Sequence, residues 1–190
     1  MVTVGVDAVV VERRLAGGDL SCPGCAEVLT GWGWARERVV RGPDGAFRVR
    51  PRRARCSGCG TTHVLLPVVL LLRRADAVAV IGAALAAKAG GAGHRRIAAV
   101  LGRAAETVRG WLRRFGARLE TVRGLFTVWL RALAADPVMP GPAGGAWADA
   151  VTSIAVAASA AAGRFMTAVP VWWWAGAVSG GRLLAPGWPW

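Results

Sequence analysis

The spacing of apolar residues predicts a chain that begins with strands and continues with helices. Val2 to Val11 is rich in β-branched residues and predicts a strand. Two further strands are predicted over 32–40 and 46–55, joined by the turn sequence Gly42-Pro43-Asp44-Gly45. After Pro67 the apolar residues recur at helical spacing instead. The pattern therefore predicts an α+β protein with its β structure first.

The helical part opens with a segment that Asp76 can cap and that Gly90 and Gly91 can stop. One apolar stripe on this helix consists of Val78, Ile81 and Leu85. Further helices are predicted from near His94, from near Ala105, over 125–135 and over 146–163.

The stretch 94–115 carries two apolar sets at helical spacing, separated by Gly102, which can adopt a left-handed turn conformation. Ala98 is small where the two helices would approach each other, and Val108 and Trp111 would point inward. This arrangement predicts a helix-turn-helix with a basic recognition face. The alternative is an ordinary helical hairpin whose outer charges only meet solvent.

All four cysteines lie in two CxxC sequences, SCPGC with Cys22 and Cys25 and CSGCG with Cys56 and Cys59. A glycine in each two-residue gap lets both sulfurs of one knuckle face the same ion, and four thiolates complete a closed tetrahedral shell. The sequence therefore predicts a zinc ribbon holding one structural Zn²⁺. His63 is an alternative ligand, but with the shell complete we expect it to support the site instead.

A thioredoxin-like redox role for CPGC is the competing interpretation. It requires a βαβ context and leaves the second CxxC without a use.

The charge indicates a polyanionic partner. The net charge is +13, and Lys88 is the single lysine, so arginine supplies nearly all of the positive charge. Residues 1–115 hold 19 of the 24 basic and 8 of the 11 acidic residues, a net +11. We expect this part of the chain to face double-stranded DNA.

The predicted DNA contacts form two groups. The outer face of the helix pair would read bases and touch phosphates through Arg95, Arg96, Arg103, Glu106, Thr107, Arg109, Arg113 and Arg114. The hairpin would bind phosphates through Arg48, Arg50, Arg52 and Arg53.

The paired knuckles, the WGWARERVVRG segment and the run HRRIAAVLGRAAETVRGWLRRF resemble a family of small zinc-ribbon and helix-turn-helix proteins from high-GC bacteria. That family is similar to the DNA-binding heads of insertion-element transposases, and the resemblance covers about residues 20–120. It implies binding to duplex DNA at transposon ends, with the four cysteines as ligands and the outward residues of the last helix as base readers.

The remainder of the chain predicts no catalysis. After Phe115 the acidic residues are Glu120, Asp136 and Asp149, in helical surroundings that do not suit the three-carboxylate metal site of a transposase. Six of the ten tryptophans lie in the last 44 residues. Such a cluster is more typical of a core or a subunit interface than of a base-stacking platform, and without interleaved arginine we expect an interface with a second copy or a protein partner.

A membrane span is the alternative for the apolar stretches 148–163 and 165–179, but the first is mainly alanine, and Arg164 and Pro170 interrupt them. Together with the lack of a basic leader, this predicts a cytoplasmic, nucleoid-associated protein without a membrane partner.

The sequence thus predicts three parts: a β zinc ribbon over 1–72, a trihelical helix-turn-helix DNA-binding domain over 73–118, and a helical, tryptophan-rich interaction region over 119–190. We expect a non-enzymatic DNA-binding protein that is transposase-like or associated with transposition. The alternative is a transcriptional regulator, or a docking module acting on polymerase or a separate transposase.

Overall fold

The computed structural model describes residues 1–188 of the chain. Six strands occur in this range, and in chain order they are β1 (Val2–Val4), β2 (Leu29–Trp34), β3 (Arg38–Arg41), β4 (Ala46–Val49), β5 (Arg52–Cys56) and β6 (Thr62–Pro67). Seven helices occur in it, namely α1 (Ala8–Ala16), α2 (Val78–Ala89), α3 (His94–Leu101), α4 (Ala105–Gly116), α5 (Leu119–Leu133), α6 (Ala146–Phe165) and α7 (Val171–Val178). The predicted α+β architecture with an N-terminal sheet is confirmed.

Four strands form one sheet in the order β1-β6-β5-β2. β1 runs parallel to β6, whereas β5 pairs antiparallel with both β6 and β2. Leu29 lies opposite Cys56, and Ala54 lies opposite His63. This register places the end of β5, and with it the second knuckle, beside the chain that leaves the first knuckle.

The two long strands predicted around the Gly42–Gly45 turn are each divided in two. β3 and β4 form the hairpin, with Arg38 opposite Val49, while β2 and β5 belong to the main sheet. Pro51, which has no N–H to donate to a sheet ladder, lies between β4 and β5. Its carbonyl accepts from the amide of Ala35, which lies between β2 and β3, at 2.8 Å.

The predicted strand over Val2–Val11 is wrong beyond Val4. Asp7 caps α1, because its Oδ1 accepts hydrogen bonds from the amides of Val9 at 2.8 Å and Val10 at 3.3 Å. The helix then buries Val11 and Leu15 against the sheet. A satisfied cap and two buried contacts outweigh the β preference of the valines.

The helices enclose the larger hydrophobic core, which runs from Leu66 through α2 to Trp188 and also includes Val40 of the hairpin. In α2 the predicted stripe is buried. The proposed cap is wrong, since Ala77 occupies the N-cap position without a side-chain hydrogen bond. This core passes continuously across residue 118, where a domain boundary is predicted; the three-part division stays a prediction.

The C-terminal tryptophans pack inside the chain. Trp188 is buried, while Trp147, Trp172, Trp173 and Trp174 are half-buried against the helical core. The rings expected at an interface therefore help to fill the protein's own core, and Trp190 lies outside the described residues. Self-association through this region stays a prediction.

Among the described helices, α6 alone is long and apolar enough to cross a membrane, by length and composition only, with a mean hydropathy of 1.2. A third of its apolar window is buried, and Ala150, Ile154 and Ala157 face the core. This face packs mainly against α5, as in a core helix of the same length.

Gly82 tests whether the tryptophan packing is intramolecular. A Cβ at this position would lie 2.1 Å from ring atoms of Trp172, so Gly82→Ala should lower the free energy of unfolding by about 1–3 kcal/mol. At Gly124 of α5 a Cβ would meet nothing within 4 Å, and Gly124→Ala should stabilise by about 0.5–1 kcal/mol. Urea denaturation measures both. If both variants are stabilised, Trp172 does not pack on α2.

Candidate metal centre and basic surface

The four cysteine sulfurs form one cluster, hereafter the cysteine cluster, although 30 residues separate the two knuckles. All four Sγ atoms lie within 4.8 Å of one another. The distance is 3.8 Å between Cys22 and Cys59 and 3.3 Å between Cys25 and Cys56. Cys22 and Cys56 are buried and the other two are exposed, so the cluster sits at the edge of the smaller core.

Both knuckles have the same local fold. Ala26 donates its amide to the Cys22 carbonyl at 2.8 Å, and Gly60 donates to the Cys56 carbonyl at 3.2 Å. Both residues adopt a left-handed conformation, with φ of 63° and 71°. Ala26 bears strain that glycine would avoid. This turn returns the second sulfur of each knuckle toward the first.

Backbone amides support the sulfurs. Gly24 donates to Cys22 Sγ and Cys59 donates to Cys56 Sγ, each at 3.4 Å. Hydrogen bonds from the Thr61 hydroxyl and amide lower the pKa of Cys59 to about 6.

The donor set fits a tetrahedral zinc ion. Zn–S bonds of about 2.3 Å place four sulfurs roughly 3.8 Å apart, which is close to the spacing in the cysteine cluster. A bound zinc ion would supply a structural cross-link between the knuckles, held by Cys22, Cys25, Cys56 and Cys59.

His63 lies beside this cluster. It is buried, and its Nε2 is 3.4 Å from Cys22 Sγ while its Nδ1 is 2.9 Å from the Met1 amino group. Burial, together with the positive charge of Met1, lowers the pKa of His63. The neutral ring can accept from Met1 at Nδ1 and donate to Cys22 from Nε2. This position suits a residue that orients a ligand.

The outer face of α4 presents three of the predicted DNA contacts. Glu106, Arg109 and Arg113 are exposed, and Arg109 lies 3.3 Å from Glu106. Thr107 is half-buried, and Arg114 folds back to donate to the Gly110 carbonyl at 2.9 Å. The opposite face of α4 is buried through Val108, Trp111, Leu112 and Phe115. Arg95 and Arg96 are exposed in the first turn of α3.

Arg103 is a structural residue, and we withdraw it from the predicted contacts. Its side chain is only 15% exposed and donates to Asp76 Oδ1 at 2.6 Å. The same guanidinium also donates to the carbonyls of Leu101, Gly102 and Gly42. With these acceptors in place it joins the α3–α4 turn to the hairpin and has no donor pair left for DNA.

The four arginines that the sequence predicts as phosphate contacts of the hairpin are not all exposed. Arg48 and Arg50 are exposed, although Arg48 pairs with Glu37 at 2.6 Å. Arg52 is bound internally, to Glu12 at 2.6 Å and to the Gly33 carbonyl. Arg53 is half-buried beside Thr62. Of these four arginines, Arg48 and Arg50 are therefore the ones with exposed side chains.

The sequence does not indicate that Asp76 is an ion-pair centre. Its carboxylate is 2% exposed, and it accepts from Arg41 through Oδ2 and from Arg103 through Oδ1, each at 2.6 Å. The arginines that lie over the rings of Trp32 and Trp34 are not evident from the sequence either. Alternation along β2 is the one signal that could have indicated these exposed rings.

Comparison with known families adds one finding. Residues 22–111 match a family described as a domain of unknown function (DUF6431). The chain is similar to that family from the first cysteine to Trp111 in α4, a stretch that includes the cysteine cluster, Asp76 and the outer-face arginine Arg109. Neither the curated proteins nor the solved structures give a match.

Metal content tests the cysteine cluster directly. Purified protein should carry about one zinc per chain, and Cys56→Ser should lose it together with the order of the sheet, because one ligand of four is removed. The helical core should remain, since it is a separate cluster. Elemental analysis and circular dichroism measure the two effects.

The matched control is Ser57→Ala, an exposed position in the same turn, which should keep its zinc. Metal-free protein with an unchanged spectrum would show that the cysteines hold no structural ion.

Proposed function

We propose that this protein is a zinc-binding, helix-turn-helix protein that binds double-stranded DNA with a sequence preference. The observation that carries the proposal is α4, which buries one apolar face and exposes Arg109 and Arg113 on the other. These side chains are four residues apart and so lie one above the other on the helix surface. Arginines in this position can reach guanine edges in a major groove.

The α3–α4 connection supports this proposal. Gly102 adopts a left-handed conformation with φ of 61°, and Ala98 and Ile97 are buried where α3 meets its neighbours. Gly102 ends α3, and α4 begins at Ala105. A short turn with glycine between two packed helices is the geometry in which the second helix of a helix-turn-helix enters the groove.

Zinc would serve stability and not chemistry in this proposal. The cysteine cluster holds the sheet from which the β3–β4 hairpin extends, and the exposed Arg48 and Arg50 of that hairpin would contact phosphates. Phosphate contacts set affinity and register, while base contacts set sequence preference. The ribbon would thus position the protein on the DNA, and α4 would read the base sequence.

We further propose that the protein acts by binding, without a catalytic domain, in the cytoplasm at the nucleoid. Two of the three acidic side chains after Phe115 have local partners: Glu120 pairs with Arg123 at 2.6 Å, and Asp149 accepts from the Ala143 amide. The resemblance to transposase DNA-binding heads favours a role in transposition over transcription regulation. A docking role through the tryptophan-rich region has less support, because the described rings pack into the core.

Arg109→Ala tests base reading. It should weaken binding to a selected site by about 1–3 kcal/mol and flatten the preference at one or two base pairs, because one bidentate contact is lost. Arg50→Ala should instead weaken binding to all sequences alike and reduce the slope of log affinity against log salt concentration by roughly 0.9. Affinities for a selected and a scrambled duplex at several salt concentrations distinguish a base-reading residue from a phosphate-contacting residue.

The control is Arg123→Ala on α5, which removes an exposed arginine with the same i,i+3 pairing to a glutamate. This variant should leave the affinities for the selected and the scrambled duplex unchanged. If Arg109→Ala lowers both of these affinities by the same factor, α4 contacts only the DNA backbone.

A further inference from the structure

A cleft of about 430 Å³ lies between the N-terminal segment and the β3–β4 hairpin. Its walls carry three aromatic rings, those of Trp34, Phe47 and Trp173. Trp34 is 47% exposed and Phe47 is 38% exposed, so neither ring is buried in the core. Valines and prolines complete the apolar lining, among them Val4 of β1, Val11 of α1 and Pro67 of β6.

Arginines border the same cleft. Arg48, Arg50 and Arg52 line it, and the guanidinium carbons of Arg50 and Arg52 lie 5.9 and 5.0 Å from the centre of the Trp34 ring. The lining carboxylate is Glu12, which is paired with Arg52. The cleft therefore combines partly exposed aromatic rings with a positive edge.

We propose that this cleft binds an unpaired nucleotide of a nucleic-acid strand, with the base against Trp34 and Phe47 and the adjoining phosphates against Arg48 and Arg50. Aromatic rings beside a basic track are how proteins hold single strands. Bases stacked within a duplex have both faces covered, so the occupant has to be unpaired. The proposal rests on nucleic acid being the partner, and it adds a site separate from α4.

A bulge in β2 places Trp34, and not Trp32, in the cleft. Gly31 lies opposite Ala54, whereas Trp34 lies opposite Arg52, so β2 has one extra residue, and Gly33 there has a φ of 100°. The extra residue turns Trp34 to the face opposite that of Trp32. Trp32 does not line the cleft; it is 52% exposed and stacks with Arg55 at 4.8 Å. β2 thus carries two exposed tryptophans with arginine neighbours, and of these two Trp34 lines the cleft.

The experiment measures binding of fluorescently labelled dT12, rU12 and a mixed-sequence duplex to the full-length, zinc-loaded chain. Trp34→Ala should weaken single-strand binding about 5- to 150-fold, because one base loses its stacking partner. Trp32→Ala, the matched control, should leave it within about twofold. Zinc content and circular dichroism of both variants verify that the sheet is intact.

The outcomes also separate this site from α4. Trp34→Ala should leave duplex affinity unchanged, and Arg109→Ala should leave dT12 affinity unchanged. The proposal is supported if dT12 or rU12 binds and Trp34→Ala weakens that binding. Whichever of the two binds more tightly shows whether the natural strand is DNA or RNA. Equal losses in Trp32→Ala and Trp34→Ala, or no binding of either strand, would overturn the proposal. Loss of duplex binding alone would reject the function proposed for α4 and leave the cleft standing.

Discussion

The buried carboxylate of Asp76 joins the parts of this protein that do not share a sheet. It accepts from Arg41 of the hairpin and from Arg103 of the α3–α4 turn, each at 2.6 Å. Backbone hydrogen bonds reinforce the junction, since Arg41 donates to the Ala75 carbonyl and accepts from the Ala77 amide. Removing Asp76 would leave Arg103, which is only 15% exposed, without its carboxylate partner, and breaking a buried pair in this way typically costs about 3–5 kcal/mol. The orientation of α4 relative to the hairpin depends on this junction.

Two hydrophobic clusters stabilise the rest of the structure. The smaller one holds α1, the sheet and the two buried cysteines, and it is small enough that a metal cross-link would add substantially to its stability. The larger one packs α2 to α7 and includes Val40 of the hairpin. This arrangement predicts metal-dependent order in the smaller cluster and an independently stable helical core in the larger one. Asp76 lies where the hairpin meets α2.

Features encoded by local sequence were predictable. The two CxxC knuckles, the apolar stripe of α2 and the starts of α3 and α4 follow from spacing alone, and the structure places them as expected. The α1 helix was not predicted, because β-branched residues obscured the cap formed by Asp7.

The roles of individual arginines could not be predicted in this way. Whether Arg52 or Arg103 faces solvent depends on where Glu12 and Asp76 lie in the fold, 40 and 27 residues away in sequence. Composition likewise could not distinguish tryptophans at an interface from tryptophans in a core, because both environments are apolar and favour the same rings. The packing of Trp172 on Gly82 depends on a contact between distant helices.

The central claim is that the ribbon and α4 contact one duplex together, in an orientation that Asp76 fixes. Hydroxyl-radical protection of a selected duplex site by the zinc-loaded protein tests it most directly. We expect two protected patches at a constant spacing, one from α4 and one from the hairpin, and loss of this constant spacing in Asp76→Asn, which breaks the ion pairs with Arg41 and Arg103. A single patch, or two patches whose spacing is the same in Asp76→Asn, would contradict the claim.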